Sequence, residues 1–330
     1  MKTLVFTCGD INGIGPEISI KAINKLFNPA KRKIIFICPA SVFEKNISFI
    51  KPTFPFEIIS RERKDALSAN SVSILDFGKS KLDFGRPTKY SGKTASEAIE
   101  LSHSIVNQIS NSAIVTAPTS KRAFEMAGVK YPGQTEYFAS LSKTEKFMMV
   151  FLSRKMICGL ATIHIPLKEV SSSLSIVLLQ EKIEIFSHSL RNDLGKNNPS
   201  IAVLGLNPHS GEEGRIGREE IDVIKPAINK VKKLNVLGPF VPDAFFWTKQ
   251  YREFDGIIGM YHDQVLIPFK MLNFERGVNF TAGLDIIRTS PDHGTAYDIA
   301  GLGIANPASM IEAAIWAEKI IGNRIKANAR

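Results

Sequence analysis

Short apolar runs closed by glycine, proline or polar residues recur along the chain and alternate with stretches of helical periodicity. Residues 3–7 form a short apolar run that enters a glycine-rich loop, and Pro16 then stands where a first helical residue belongs, with Glu17 in the first turn. Residues 33–38 (KIIFIC) read as a buried strand closed by Pro39. Residues 41–90 are irregular, with short strands at 56–60 and 72–75 and no legible chemistry. Helical spacing returns at 94–109 through Ala95, Ala98, Ile99, Ser102, Ile105 and Val106, and a strand at 113–116 runs into APTSK. Strand-like runs follow at 157–161, 201–206 and 256–260, and the apolar stretch 310–321 predicts a final helix. Alternation of this kind without hairpin signals predicts an α/β fold with a largely parallel sheet.

Composition narrows the class. A chain of 330 residues has room for one large or two ordinary domains. Its 44% hydrophobic and 22% charged content is that of a soluble globular protein. No apolar run approaches the roughly 18 residues of a membrane span, and the first apolar run is too short for a signal peptide, so a cytoplasmic location is expected. Cys8, Cys38 and Cys158 are odd in number, far apart and set in apolar surroundings, which predicts buried free thiols in a reducing compartment. The net charge of +10 comes from scattered lysines with short clusters at 31–33, 232–233 and the tail. No aromatic-rich motif accompanies them, so no nucleic-acid partner is expected; the field suits a phosphorylated or dianionic substrate.

Candidate chemistry concentrates in residues 261–309. His262 is followed by Asp263, and Lys270, Asn279 and Arg288 come at equal intervals, with a proline just before the first and glycine and apolar segments between them. That spacing is not helical and places them at strand ends and loops, where Lys and Arg suit a phosphate or carboxylate. Any one of these charges alone reads as a solvated surface group. Near the start, GDINGIG follows a strand and precedes a helix as a phosphate cradle would, but lacks both GK[ST] and the GxGxxG spacing, and a tight βα turn describes it better. His164, His209 and His262 match no local zinc signature, and spacing alone leaves each a core or surface histidine. Each nevertheless follows a strand-like run, and the strand ends of a parallel sheet converge. His103 and His188 lie in helical runs and read as structural.

The run YHDQ…IPFK…VNFTAGLDIIRTSPDHGTAYDIAGLGIANP resembles the C-terminal signature of the 4-hydroxythreonine-4-phosphate dehydrogenase family of the vitamin B6 pathway. Further blocks resembling that family recur in order: GDINGIGPE, TAPTSK, PGQTEYFA, TIHIPLKEV, GLNPHSGEEGRIGREE and GPFVPDAFF. Two departures stand out. The family usually has proline-alanine where this chain has Ile11-Asn12, and histidine where it has Gln134. Gln134 can donate and accept hydrogen bonds but cannot carry a proton as imidazole does.

The resemblance implies the α/β fold of isocitrate and isopropylmalate dehydrogenases. One domain would comprise residues 1–130 and 280–330 with the cofactor loop. The other, 131–279, would carry the metal ligands and the dimer interface, with substrate in the cleft between them. It implies NAD(P)-dependent oxidation of 4-phosphohydroxy-L-threonine to a 2-amino-3-oxo acid, which decarboxylates to 3-amino-2-oxopropyl phosphate. Gln134, Thr135, Lys270, Asn279 and Arg288 would bind substrate. His164, His209 and His262 would bind a divalent metal (zinc, cobalt, nickel or magnesium) in sites shared by a homodimer; imidazole donors suit the first three better. Asp243 is a further carboxylate within reach of such a role, and Asp263 a candidate proton acceptor beside Lys270 as a catalytic residue. No Rossmann fingerprint exists, but residues 292–301 with Asn306 resemble the adenosine loop of isocitrate and isopropylmalate dehydrogenases. That likeness implies cofactor contacts by His293, Gly294, Asp298 and Asn306, the carboxylate of Asp298 favouring NAD over NADP. Gln134 keeps open the same chemistry on another phosphorylated hydroxy acid, such as a four-carbon sugar-acid phosphate. An acyl-phosphate transferase of similar fold is the remaining alternative and needs neither the histidines nor the adenosine loop.

Overall fold

The computed structural model describes residues 1–62, 68–273 and 275–329; the basic tail noted above ends at Arg330, outside them. The chain divides into two compact units, one of Met1–Glu145 with Asp285–Ile325, the other of Lys146–Leu284 with the last residues of the chain.

In the first unit the chain runs β1 (Lys2–Thr7), α1 (Gly15–Leu26), β2 (Arg32–Ile37), α2 (Ala40–Ile47), β3 (Phe56–Ser60), β4 (Val72–Asp76), α3 (Lys89–Val106), β5 (Ser112–Thr116), α4 (Lys121–Ala127) and α5 (Gln134–Leu141). In the second it continues through β6 (Met148–Leu152), β7 (Ile157–Leu160), α6 (Val170–Ser173), α7 (Ile176–Asn192), β8 (Ser200–Leu204), α8 (Lys225–Lys230), β9 (Asn235–Phe240), α9 (Pro242–Trp247), β10 (Gly256–Gly259), α10 (His262–Leu272) and β11 (Val278–Ala282). It returns to the first unit with β12 (Arg288–Pro291) and α11 (Ala308–Asn328).

The first unit's strands lie in the order β3-β4-β2-β1-β5-β12, every pair parallel. Leu4–Phe6, Ile34–Ile37 and Ile114–Val115 are almost wholly buried, as expected of strands covered on both faces. Residues 131–145 pack here rather than with the second unit where the sequence suggested. Tyr137 fixes them, since its hydroxyl donates to Glu100 on α3 and its ring meets Phe124 edge-on.

The second unit has the order β11-β6-β7-β10-β8-β9. β7, β10, β8 and β9 are parallel, whereas β6 is antiparallel to both β7 and β11. The β6–β7 hairpin is absent from the sequence expectation because its turn carries no Asn-Gly. Ser153 builds it instead, its Oγ accepting from the N–H groups of Lys155 (3.2 Å) and Met156 (2.9 Å). A core of Phe151, Leu160, Leu204, Ile257, Val265, Leu266 and Phe269 packs α10 onto these strands. The largely parallel α/β architecture is the one the sequence predicts.

Candidate active site

Three histidines follow the C-terminal ends of three neighbouring parallel strands in the second unit. The segment after β7 stays tied to the end of β10: Ala161 N–H donates to Gly259 O (2.9 Å) and Thr162 Oγ1 to Met260 O (2.6 Å). This carries His164, with a left-handed φ of 39°, to His262, the first residue of α10, ring centroids 5.8 Å apart. His262 Nδ1 donates to Asp263 Oδ1 at 2.6 Å. Nδ1–H is thereby committed to the carboxylate and the lone pair placed on Nε2, the usual arrangement behind a metal-binding imidazole.

His209 stands on an unusual turn. His209, Ser210, Gly211, Glu212 and Glu213 all have positive φ, from 43° to 79°. A left-handed conformation costs non-glycine residues roughly 1–2 kcal/mol each, so the surroundings must hold it. Glu220 does much of this. Its buried carboxylate accepts from the N–H groups of Leu206 and Asn207, each at 2.7 Å, and from Asn207 Nδ2 at 2.9 Å. Gly211 is required beneath it, since a Cβ there would lie 2.7 Å from Glu220 Oε2. Gln264 links the ends of β10 and β8, accepting from Met260 N–H (2.7 Å) and donating to Gly205 O (2.6 Å). Sequence reading missed Glu220, Asn207 and Gln264; all three sit in the quoted blocks, but only the fold shows what they hold. Among the described residues no group of three or more His, Cys, Asp or Glu stands close enough to hold an ion. One chain therefore brings together His164 and His262, but neither His209 nor Asp243, which is exposed on α9.

Lys270 lies in the last turn of α10, not in the loop or strand end expected from its spacing. The helix runs through Pro268 despite the backbone hydrogen bond that proline removes. Asn279 sits in β11 opposite Phe151 of β6, and its buried Oδ1 accepts no hydrogen bond.

In the first unit, Arg288 opens β12 beside β5 and is only 2% exposed. Its Nε and Nη2 donate to Thr116 Oγ1 at 3.1 and 2.9 Å, its Nη1 to Thr135 Oγ1 at 3.3 Å, and the guanidinium lies 5.9 Å from the Phe138 ring centroid. Burial pulls its pKa down to about 10, partly opposed by the carboxylate of Glu136. Gln134 begins α5 beside Thr135; its Nε2 donates to Ala117 O at 3.0 Å, and its buried Oε1 has no partner.

The candidate cofactor loop is braced from below. Asp10 is buried and accepts from Tyr297 Oη (2.8 Å), Ser91 Oγ (3.0 Å) and Asn12 N–H (2.9 Å). Burial raises its pKa, and these three bonds counteract part of that rise. Ile14 N–H donates to Thr295 O (2.9 Å), and Gly13 approaches so closely that a Cβ would lie 2.6 Å from that oxygen. Glu17 Oε1 accepts from Ala305 N–H, while Lys21 Nζ donates to the carbonyls of Gly303 and Ala305, each at 2.8 Å. The GDINGIG loop thus spends the N–H groups of Asp10, Asn12, Gly13 and Ile14 on its own chain and braces the later loop. Above it, His293, Gly294, Asp298 and Asn306 are exposed. Nothing lies within 4 Å of where a Gly294 Cβ would be, which leaves room for a ligand against the backbone. Asn306 Oδ1 also accepts from Ala308 N–H at 2.9 Å at the start of α11.

The family model described as pyridoxal phosphate biosynthetic protein PdxA matches residues 30–317. A curated 4-hydroxythreonine-4-phosphate dehydrogenase of Aquifex aeolicus is 39% identical over 94% of this chain and 96% of its own. One from Sulfurihydrogenibium is 37% identical over 95% and 96%. The crystal structure of the Klebsiella pneumoniae 4-hydroxythreonine-4-phosphate dehydrogenase superposes with a TM-score of 0.84 at 35% identity, covering 97% of this chain and all of that one. A terephthalate dihydrodiol dehydrogenase from Burkholderia xenovorans, at 22% identity and a TM-score of 0.65, shares the fold. Fold and relatives define an oxidoreductase of the dehydrogenase class. The chain belongs to the PdxA family of pyridoxal phosphate biosynthesis.

Proposed function

We propose that the protein oxidises the C3 alcohol of 4-phosphohydroxy-L-threonine with a nicotinamide cofactor, and that the resulting 2-amino-3-oxo acid loses carbon dioxide to give 3-amino-2-oxopropyl phosphate. The observation that carries this reading is the match, across nearly the whole of both chains, to relatives bearing that activity's name.

The site residues fit the chemistry. Two imidazoles with centroids 5.8 Å apart, one held by a carboxylate, suit neighbouring ligands of a single ion. A nitrogen donor set favours zinc, cobalt or nickel over magnesium. Held by these imidazoles, such an ion would supply Lewis-acid polarisation at the alcohol. His209 would complete the set, supplied across an interface with a second copy of the chain. Exposed Ile165 and Leu167 near His164, and Ile267 and Met271 on α10, support a homodimer covering that face. Asp263 is occupied by His262, so we assign it the orientation of that ring rather than proton abstraction.

Arg288 and Lys270 supply cations for the substrate's phosphate and carboxylate. Thr135 shares its hydroxyl with Arg288, and Asn279 offers an acceptor. On the braced loop, His293, Gly294 and Asn306 would meet the adenosine of the cofactor, which accepts the hydride. Asp298 would accept from free ribose hydroxyls and disfavour a 2′-phosphate, hence NAD over NADP. Three buried free cysteines support a reducing, cytoplasmic setting.

The test is reduced-nicotinamide formation and carbon dioxide release by purified protein loaded with zinc, cobalt or nickel and given 4-phosphohydroxy-L-threonine. Turnover lost in His164→Ala is expected. Absence of turnover with either nicotinamide, on protein shown to hold metal, would defeat the reading.

A further inference from the structure

Gln134 has only one of its two polar ends satisfied by the protein. Nε2 donates to Ala117 O at 3.0 Å, while Oε1 is buried without a partner. The amide cannot be turned over, because Oε1 would then face the Ala117 carbonyl, acceptor against acceptor. The side chain is therefore a fixed acceptor, beside Thr135 and the buried cation Arg288. Leaving such an acceptor unpaired is costly, so a ligand placed here must bring a hydrogen to it. A phosphate dianion or a carboxylate brings none. In the second unit Asn279 Oδ1 is likewise a buried acceptor without a partner. Two of the five candidate substrate side chains thus ask for donors, and the substrate proposed above carries two kinds, an ammonium and a hydroxyl group.

We infer that Gln134 determines substrate specificity by accepting a hydrogen bond from an ammonium or hydroxyl group of the substrate, which selects a donor-bearing amino alcohol over an analogue lacking that donor. The inference rests on the proposed function. It also explains how glutamine serves where the resembling family has histidine. A neutral imidazole donating from one nitrogen and accepting at the other presents the same two ends, but it loses the acceptor when protonated; the amide does not.

Binding, read by calorimetry without turnover, tests this on the metal-loaded protein with three probes. These are 4-phosphohydroxy-L-threonine, O-phospho-L-homoserine, which lacks the hydroxyl, and the 2-deamino analogue, which lacks the ammonium. The wild type is expected to bind each analogue more weakly than the full substrate, and the analogue whose penalty falls by about 10- to 100-fold in Gln134→Leu identifies the donor. Gln134→Leu should lose that discrimination. Gln134→His should keep it at pH 8 and lose it at pH 5.5, while the wild-type ratio of affinities stays flat. That pH signature would not follow from a merely structural role, and it holds should the leucine variant fail to fold. Equal binding of all three probes by the wild type, or discrimination surviving in Gln134→Leu, overturns the inference and leaves the function standing. Binding of none overturns both.

Discussion

Tyr297 donates its hydroxyl hydrogen to the buried carboxylate of Asp10 at 2.8 Å, joining the loop after the first strand to the loop proposed to carry the cofactor. Burial raises the Asp10 pKa, so the folded state holds that proton more tightly than the unfolded chain, whose value is near 3.8. Asp10 therefore adds stability that is fully present below 3.8 and is lost as pH rises through the higher folded value. Tyr297→Phe removes a bond that lowers this pKa, moving the folded value further up and widening that window. At neutral pH the variant should be about 1–3 kcal/mol less stable, the worth of a hydrogen bond to a charged group. The deficit should shrink on acidification. Urea melts at pH 7 and pH 4.5 measure it, and an equal deficit at both would contradict the coupling. Affinity for the proposed nicotinamide cofactor should fall with the loosened loop.

Arg288 is a buried cation held by threonine hydroxyls, with a pKa pulled down by burial to about 10. A displacement of that size corresponds to a cost on the order of 3 kcal/mol for keeping the charge at neutral pH. Arg288→Met should therefore melt no lower than the wild type while losing substrate binding. Inorganic phosphate should raise the melting temperature of the wild type and leave the variant unmoved. A variant that melts well below the wild type would show that the guanidinium is chiefly structural.

β1–β5, β7, β8 and β10 were legible because buried parallel strands are written as continuous apolar runs, and residues 33–38 fell within a residue of β2 (Arg32–Ile37), whereas β9, β11 and β12 went unread. α2 went unseen since eight residues with three buried positions give little periodicity, and the β6–β7 hairpin because a serine made its turn. Residue types for binding were legible, but their support was not. Nothing in Glu220 or Gln264 alone says that each closes backbone hydrogen bonds between distant segments. The equal spacing of Lys270, Asn279 and Arg288 hid three different settings: a helix end, a strand interior and a buried strand start.

Glu220 is 1% exposed and accepts three N–H groups that no neutral amide could satisfy together. Glu220→Gln keeps the volume and leaves one acceptor oxygen, so the left-handed turn bearing His209 should relax. The expected cost is about 2–4 kcal/mol in stability and roughly 10- to 100-fold in zinc affinity by chelator competition. His209→Ala should lose the affinity without the stability. Unchanged zinc affinity in the glutamine variant would show that Glu220 supports the fold alone.

Trp247 and Met271 are 84% and 81% exposed, and Ile267 lies one helical turn before Met271 on the helix that begins with His262. Apolar side chains this large and this open call for a covering surface, and covering each is worth about 1.5–3 kcal/mol. Replacing both Ile267 and Met271 by glutamate should therefore weaken self-association by about 10²- to 10⁴-fold, read by sedimentation, with far-UV circular dichroism unchanged. If His209 reaches the His164–His262 pair from a second copy, zinc affinity should fall in step with dissociation and recover at protein concentrations that restore the dimer. A double variant that becomes monomeric yet binds zinc as tightly as the wild type would place the whole metal set within one chain.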